Sequence, residues 1–166
     1  MAANTGRTVG KWIKFQIEDT GATFRDLPVA TINGVGFDYD QMELTALQDV
    51  MHGFLPGHGT VAIDIAGPFD TTAAQAASGS GVAPALSGSH VVLNDLPNDN
   101  TPLGFAVYFG MRQLWETGEP VFGLASSAAN GIQVFSYNVL SDGTYTATLG
   151  MYPGSAVPTW GTAVIS

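Results

Sequence analysis

At 166 residues the chain suits one domain, long enough to bury roughly 70% of its unfolded surface without a staple. It contains no cysteine, which excludes a thiolate nucleophile, a zinc ribbon and a disulfide framework. Charged residues make up 11% of it, against about 25% in an ordinary soluble domain, and interface cores are depleted of charge, so the composition reads as that of a building block covered by partners.

The few charges are unevenly placed. Residues 1–25 set Arg7, Lys11, Lys14 and Arg25 against Glu18 and Asp19, a net +2; residues 26–166 set twelve acids against Arg112 alone, a net −11, and together these make the −9 of the whole. Phosphate binding needs clustered Lys and Arg, so such a body would repel DNA rather than hold it.

Residues 1–10 are small and polar and read as a mobile N-terminal arm. MAANTGRTVGKWIKF has no apolar core of the signal-peptide kind, and no apolar run approaches the roughly 20 residues that cross a bilayer, so neither export by the usual route nor a membrane partner is expected. Trp12 to Glu18 (WIKFQIE) is rich in β-branched and aromatic residues and predicts the first strand. Arg25 to Pro28 reads as a turn, and Val29 to Gly36 as a short strand closed by glycines.

The stretch Phe37 to Asp70 organises the rest. It opens on alternation, with Asp38 and Asp40 on one face and Phe37 and Tyr39 on the other, which predicts a half-buried strand. It closes on a second alternating strand with Val61, Ile63 and Ile65 inward and Asp64 outward. Between them Ala46 to His58 (ALQDVMHGFLPGH) suits neither strand nor helix, and is too long for a turn. Leu47, Val50, Met51, Phe54 and Leu55 within it need a surface to bury against, and that surface fits another copy of the protein.

After Asp70, TTAAQAAS predicts a helix of about two turns, with Thr72 and Gln75 at capping-box spacing. Ser78 to Ser89 is a Gly/Ser-rich loop; no lysine follows its S-G-S-G to complete a phosphate cradle. Strands are then expected at His90 to Leu93, at Leu103 to Met111 with its odd-numbered residues inward, and at Pro120 to Leu124. Ile132 to Leu140 and Thr144 to Tyr152 read as a hairpin across Ser141-Asp142-Gly143, and a last strand is expected near Ala163 to Ile165. The sum is a mostly β fold: a flattened antiparallel β-sandwich or barrel with one short flanking α-helix and a long inter-strand loop, in a single domain over residues 1–166.

Chemistry is hard to find. His52 and His58 lie six apart in a loop, at no recognised metal spacing, and His90 stands alone. No G-x-S-x-G elbow is present. Asp38 with Asp40, or Glu116 with Glu119, could form a glycosidase-like carboxylate pair, but exposed acids on a strand are more often a solvated face. The expectation is a non-enzyme with no cofactor and no metal.

The order of FDYDQMELTA, a loop ending in FLPG, TVAIDIAGPFD and a following helix, then TPLGFAVYFG, EPVFGLA and SYNVLSDGTYTATLGMY, resembles the tail tube proteins, or major tail proteins, of long-tailed bacteriophages. The resemblance implies hexameric rings stacked into a tube, a virion protein made in the host bacterial cytoplasm, and contacts to other tail proteins. It also implies that Ala46 to His58 reaches a neighbouring subunit, and that genomic DNA passes an acidic lumen without sequence-specific binding. Strand parity makes Asp38, Asp40 and Asp64 the candidate lumen acids. Two other readings compete: a phage capsid decoration protein, and a carbohydrate-binding β-sandwich with Trp12, Trp115 or Trp160 as an aromatic platform.

Overall fold

The computed structural model describes residues 13–36, 38–43, 54–74, 85–110 and 119–162. Three antiparallel-dominated sheets account for nearly all regular structure there. The largest has six strands: β1 (Ile13–Glu18), β2 (Phe24–Leu27), β7 (Ala85–Leu86), β8 (Phe105–Phe109), β9 (Pro120–Leu124) and β12 (Thr159–Thr162), in the order β12-β9-β8-β1-β2-β7. A four-stranded sheet, β10-β11-β6-β3, is built from β3 (Thr31–Asn33), β6 (Ala62–Pro68), β10 (Ile132–Val139) and β11 (Thr144–Met151). The third sheet has two strands, β4 (Asp38–Glu43) and β5 (Phe54–Thr60). All the pairings are antiparallel except β2 with β7.

The core lies between the two larger sheets. Period-two alternation supplies it: Phe15 and Ile17 of β1, Phe105 and Val107 of β8, and Phe122 of β9 meet Ile63 and Ile65 of β6 and Tyr145, Ala147 and Leu149 of β11, all essentially inaccessible to solvent. The register agrees, for Ile65 lies opposite Ala147 and Ile63 opposite Leu149. Ser141 to Gly143 turns the β10–β11 hairpin as expected, with Gly143 at φ +83° and Asp142 accepting from the Thr144 N–H and hydroxyl.

Four expectations need correction. Arg25 to Pro28 is not a turn: Phe24–Leu27 is a strand, and the turn falls earlier, where the Asp19 carboxylate accepts from the Gly21 and Thr23 N–H groups and from Arg25 Nε at 2.7 Å. Thr71 to Ala74 is not helical. Asp70 takes the Thr72 N–H into an Asx turn, and the Asp70 and Thr72 carbonyls accept from the His90 and Gly88 N–H groups, which a helix there would have needed for itself.

Gln75 to Ser78 of the expected helix lie outside the described residues; among the described ones the α-helix, α1, is Ser89–Leu93, where a strand was expected. Ser89, Val92, Leu93 and Leu96 are buried, at helical spacing, and the Ser89 hydroxyl donates to the Pro68 carbonyl while accepting from the Asp70 N–H. Finally, the supposed loop Ala46 to His58 is strand from Phe54 onward. The N-terminal arm, most of the Gly/Ser loop and Ala163 to Ile165 lie outside the described residues.

Candidate assembly surface

The chain that leaves the sandwich at β3 and re-enters it at β6 forms the β4–β5 ribbon in between. Asp38 lies opposite Thr60 and Tyr39 opposite Gly59; beyond a bulge that sets Gly57 and His58 against Asp40, Met42 lies opposite Leu55 and Glu43 opposite Phe54. Gly34 makes the bend at the ribbon's base. Its φ is +81°, and a Cβ there would stand 2.0 Å from the Ala62 carbonyl oxygen, so only glycine fits.

Every ribbon side chain whose burial is described is exposed, on both faces. Alternation in β4 was expected to mean one buried face; Tyr39, however, is 49% exposed and Met42 61%, because among the described residues no second sheet lies over the ribbon. Phe54 and Leu55 are 56% and 52% exposed. Cross-strand pairing therefore brings Met42 to Leu55 on one face, while Tyr39 and Phe54 occupy the other. Leu47, Val50 and Met51, the other expected contact residues, lie outside the described residues. Sequence reasoning missed Tyr39 and Met42, although the alternation that placed Asp38 and Asp40 also placed them on a strand.

The three expected lumen acids do not share a sheet. Asp38 and Asp40 are exposed on the ribbon, whereas Asp64 sits on the outer face of the four-stranded sheet, its carboxylate accepting from the Thr148 hydroxyl at 2.8 Å. That outer face carries Thr31, Asn33, Ala62, Thr146 and Thr148 around Asp64, with the exposed ring of Phe135 lying over Gly150, and none of the four strands contains Lys or Arg.

The outer face of the six-stranded sheet is different, for Gln16 and Asp26 are almost fully buried on it. Burial pushes the Asp26 carboxyl above the usual aspartate range, although Lys14 at 3.1 Å works against the shift. Burial also opposes the charge of Asp19, but Arg25 and the Thr23 and Gly21 N–H groups outweigh it and hold that carboxyl below the usual range.

Of the two carboxylate pairs, Asp38 and Asp40 are exposed on the ribbon, while Glu119 is buried just before β9 and Glu116 lies outside the described residues. His90 is packed between Phe69 and Tyr137, with Nδ1 3.1 Å from the Tyr137 hydroxyl. Among the described residues no group of three His, Asp or Glu is placed to hold a metal, and no helix is long and apolar enough to cross a membrane. Trp160 is half exposed and leans on Phe109 and Phe122; Trp12 and Trp115 lie outside the described residues.

No family model matches the sequence, and no curated protein does. Solved structures do match. The chain resembles the tube-terminating cap of the anti-feeding prophage (AFP) at TM-score 0.56 and 12% identity, over 98% of this chain and 96% of that one. A chain of the AFP baseplate aligns at TM-score 0.59 and 9% identity, over 95% and 97%. A chain of the sheath–tube complex of an extracellular contractile injection system (PVC) in its extended state aligns at 0.51 and 14%, over 95% and 93%. These likenesses establish a shared fold along nearly the whole chain: the β-rich fold found in tube, cap and baseplate proteins of contractile injection systems.

Proposed function

We propose that this protein is a structural subunit of a phage tail or tail-like particle, that its copies associate into stacked sixfold rings forming a tube, and that the β4–β5 ribbon is the element that reaches a neighbouring copy. The observation that carries this reading is the ribbon itself. A two-stranded ribbon is at best marginally stable alone in water, and among the described residues no second sheet lies over the exposed Tyr39, Met42, Phe54 and Leu55 of this one. A partner supplies the missing layer. The charge-poor composition and the shared fold support the same reading.

In such a tube the wall must let a polyanion pass without footholds. The outer face of the four-stranded sheet suits that task, since it offers hydroxyls and the Asp64 carboxylate but no cation. Genomic DNA would then slide past Asp64, while Asp38 and Asp40 belong to the contact between copies. The role is non-enzymatic, with other tail proteins as the further partners and the virion tail as the location. A cap or terminator subunit is the nearest variant of this reading, favoured by the match to the AFP cap.

Light scattering and electron microscopy of the wild type and of Phe54→Glu test it. The wild type is expected to form rings or tubes; Phe54→Glu, which buries an unpaired charge in the contact, is expected to stay monomeric. Closed single rings that never stack would favour the cap. Assembly unchanged by Phe54→Glu would remove the ribbon from the interface.

A further inference from the structure

The sequence contains two Asn-Gly pairs, Asn33-Gly34 and Asn130-Gly131, and the fold treats them differently. Asparagine followed by glycine is chemically labile, because the glycine has no Cβ to shield its backbone nitrogen and that nitrogen lies within reach of the asparagine side-chain carbonyl. Asn130 is held in place. Its Oδ1 accepts from the Ala156 N–H at 2.8 Å, its N–H donates to the Ser127 hydroxyl, and the Gly131 N–H donates to the Ser155 hydroxyl at 2.9 Å. Gly131 is also pressed against Leu103, for a Cβ there would stand 2.7 Å from the Leu103 nitrogen. Asn33 has none of this support. It is exposed at the end of β3, Gly34 is exposed beside it, and among the described residues no hydrogen bond holds the Asn33 side chain.

We propose that Asn33 is a site of spontaneous covalent modification, at which the Gly34 backbone nitrogen closes a succinimide that water opens to an aspartyl or isoaspartyl residue at the base of the ribbon. The Gly34 nitrogen gives its proton to a solvent base and attacks Asn33 Cγ. The N–Cγ bond forms, the Cγ–Nδ2 bond breaks, and Nδ2 takes up a proton and leaves as ammonia. Water then adds to one of the two ring carbonyls: breaking the N–Cγ bond yields the aspartyl product, and breaking the original peptide bond yields the isoaspartyl one. The only co-reactant is water.

The position gives the change a consequence. Asn33 lies opposite Asp64 in the β3–β6 pair, so the new carboxylate faces an acid directly, and like charges opposite each other destabilise a strand pair. The isoaspartyl product also lengthens the backbone by one methylene just before Gly34, where the bend is packed on the Ala62 carbonyl. On the assembly reading proposed above, on which this step alone rests, the ribbon is re-aimed and self-association declines as the protein ages.

The test is peptide mapping by mass spectrometry of full-length protein kept at mildly alkaline pH, with isoaspartate read by enzymatic methylation and fold by circular dichroism. In the folded protein Asn33 should convert about tenfold faster than Asn130, an order-of-magnitude allowance for the local opening that Asn130 needs first. In urea that difference should largely vanish. Asn33→Gln, whose longer side chain closes a ring more slowly, should remove the fast conversion and preserve assembly in aged samples. Equal rates at the two sites in the folded protein, or an Asn33 that stays intact while the urea-unfolded chain converts, overturns the assignment. Association unchanged by conversion at Asn33 overturns the consequence alone. Fresh protein that stays monomeric at every concentration overturns the assembly reading and leaves the modification site standing.

Discussion

The sandwich and the ribbon are made from similar residues and meet opposite fates. In β6 and β11 alternation puts Ile63, Ile65, Tyr145 and Leu149 out of reach of water, whereas in β4 and β5 it leaves Tyr39, Met42, Phe54 and Leu55 open to it. The ribbon strands pair in the same antiparallel way apart from one bulge; the difference is whether, among the described residues, a second sheet lies opposite. Burial in this molecule is a property of layers, so the ribbon's apolar content contributes little to the stability of the single chain and is available to partners.

Mutations can break that contrast from either side. The largest effect is expected in the core: Leu149→Ala should destabilise by about 3 kcal/mol through lost transfer energy and a cavity between the sheets, lowering the urea midpoint and abolishing assembly only as a result of unfolding. Next is the junction. Gly34→Val forces a β-branched residue to φ +81° and against the Ala62 carbonyl, which should cost about 2 kcal/mol by urea unfolding and re-aim the ribbon, so that assembly falls by more than the stability loss explains.

A smaller effect comes from the β1–β2 turn. The folded-state pKa of Asp19 is depressed, so it contributes stability that is fully present above the ordinary aspartate pKa and is lost as pH falls through the folded value. Asp19→Asn should cost about 1 kcal/mol at neutral pH and nothing once both states are protonated, as read from urea midpoints across pH. Asp26 has the opposite sign. Its raised pKa makes the fold bind its proton more tightly, so stability falls as pH rises between the ordinary value and the folded one, and Asp26→Asn should flatten that part of the profile. The smallest effect on stability belongs to the ribbon: Met42→Ser should shift the unfolding free energy by no more than about 0.5 kcal/mol while weakening self-association.

Much of the sandwich was legible in the residues. Strict alternation placed β6, β8 and β11, and Ser141-Asp142-Gly143 announced its hairpin. α1 was not read, because His90 to Leu93 has strand-like residue types; the signal that would have found it is the helical spacing of Ser89, Val92, Leu93 and Leu96, all buried against the sheets. TTAAQAAS misled in the other direction, since a capping-box spacing near Asp70 looks the same whether the carboxylate starts a helix or closes an Asx turn. The ribbon was half legible. Phe54 and Leu55 stood out as apolar residues without a core, but FLPGHGT, with its two glycines and a proline, gave no strand pattern, and alternation alone cannot tell Tyr39 facing a core from Tyr39 facing water.

The most direct test of the account is electron microscopy of the purified full-length protein over a range of concentration, with image classes fine enough to place the ribbon. The account predicts hollow rings or tubes in which Phe54 and Leu55 are covered by a neighbouring copy. Rings or tubes that leave the ribbon in solvent, or monomers at every concentration, would contradict it.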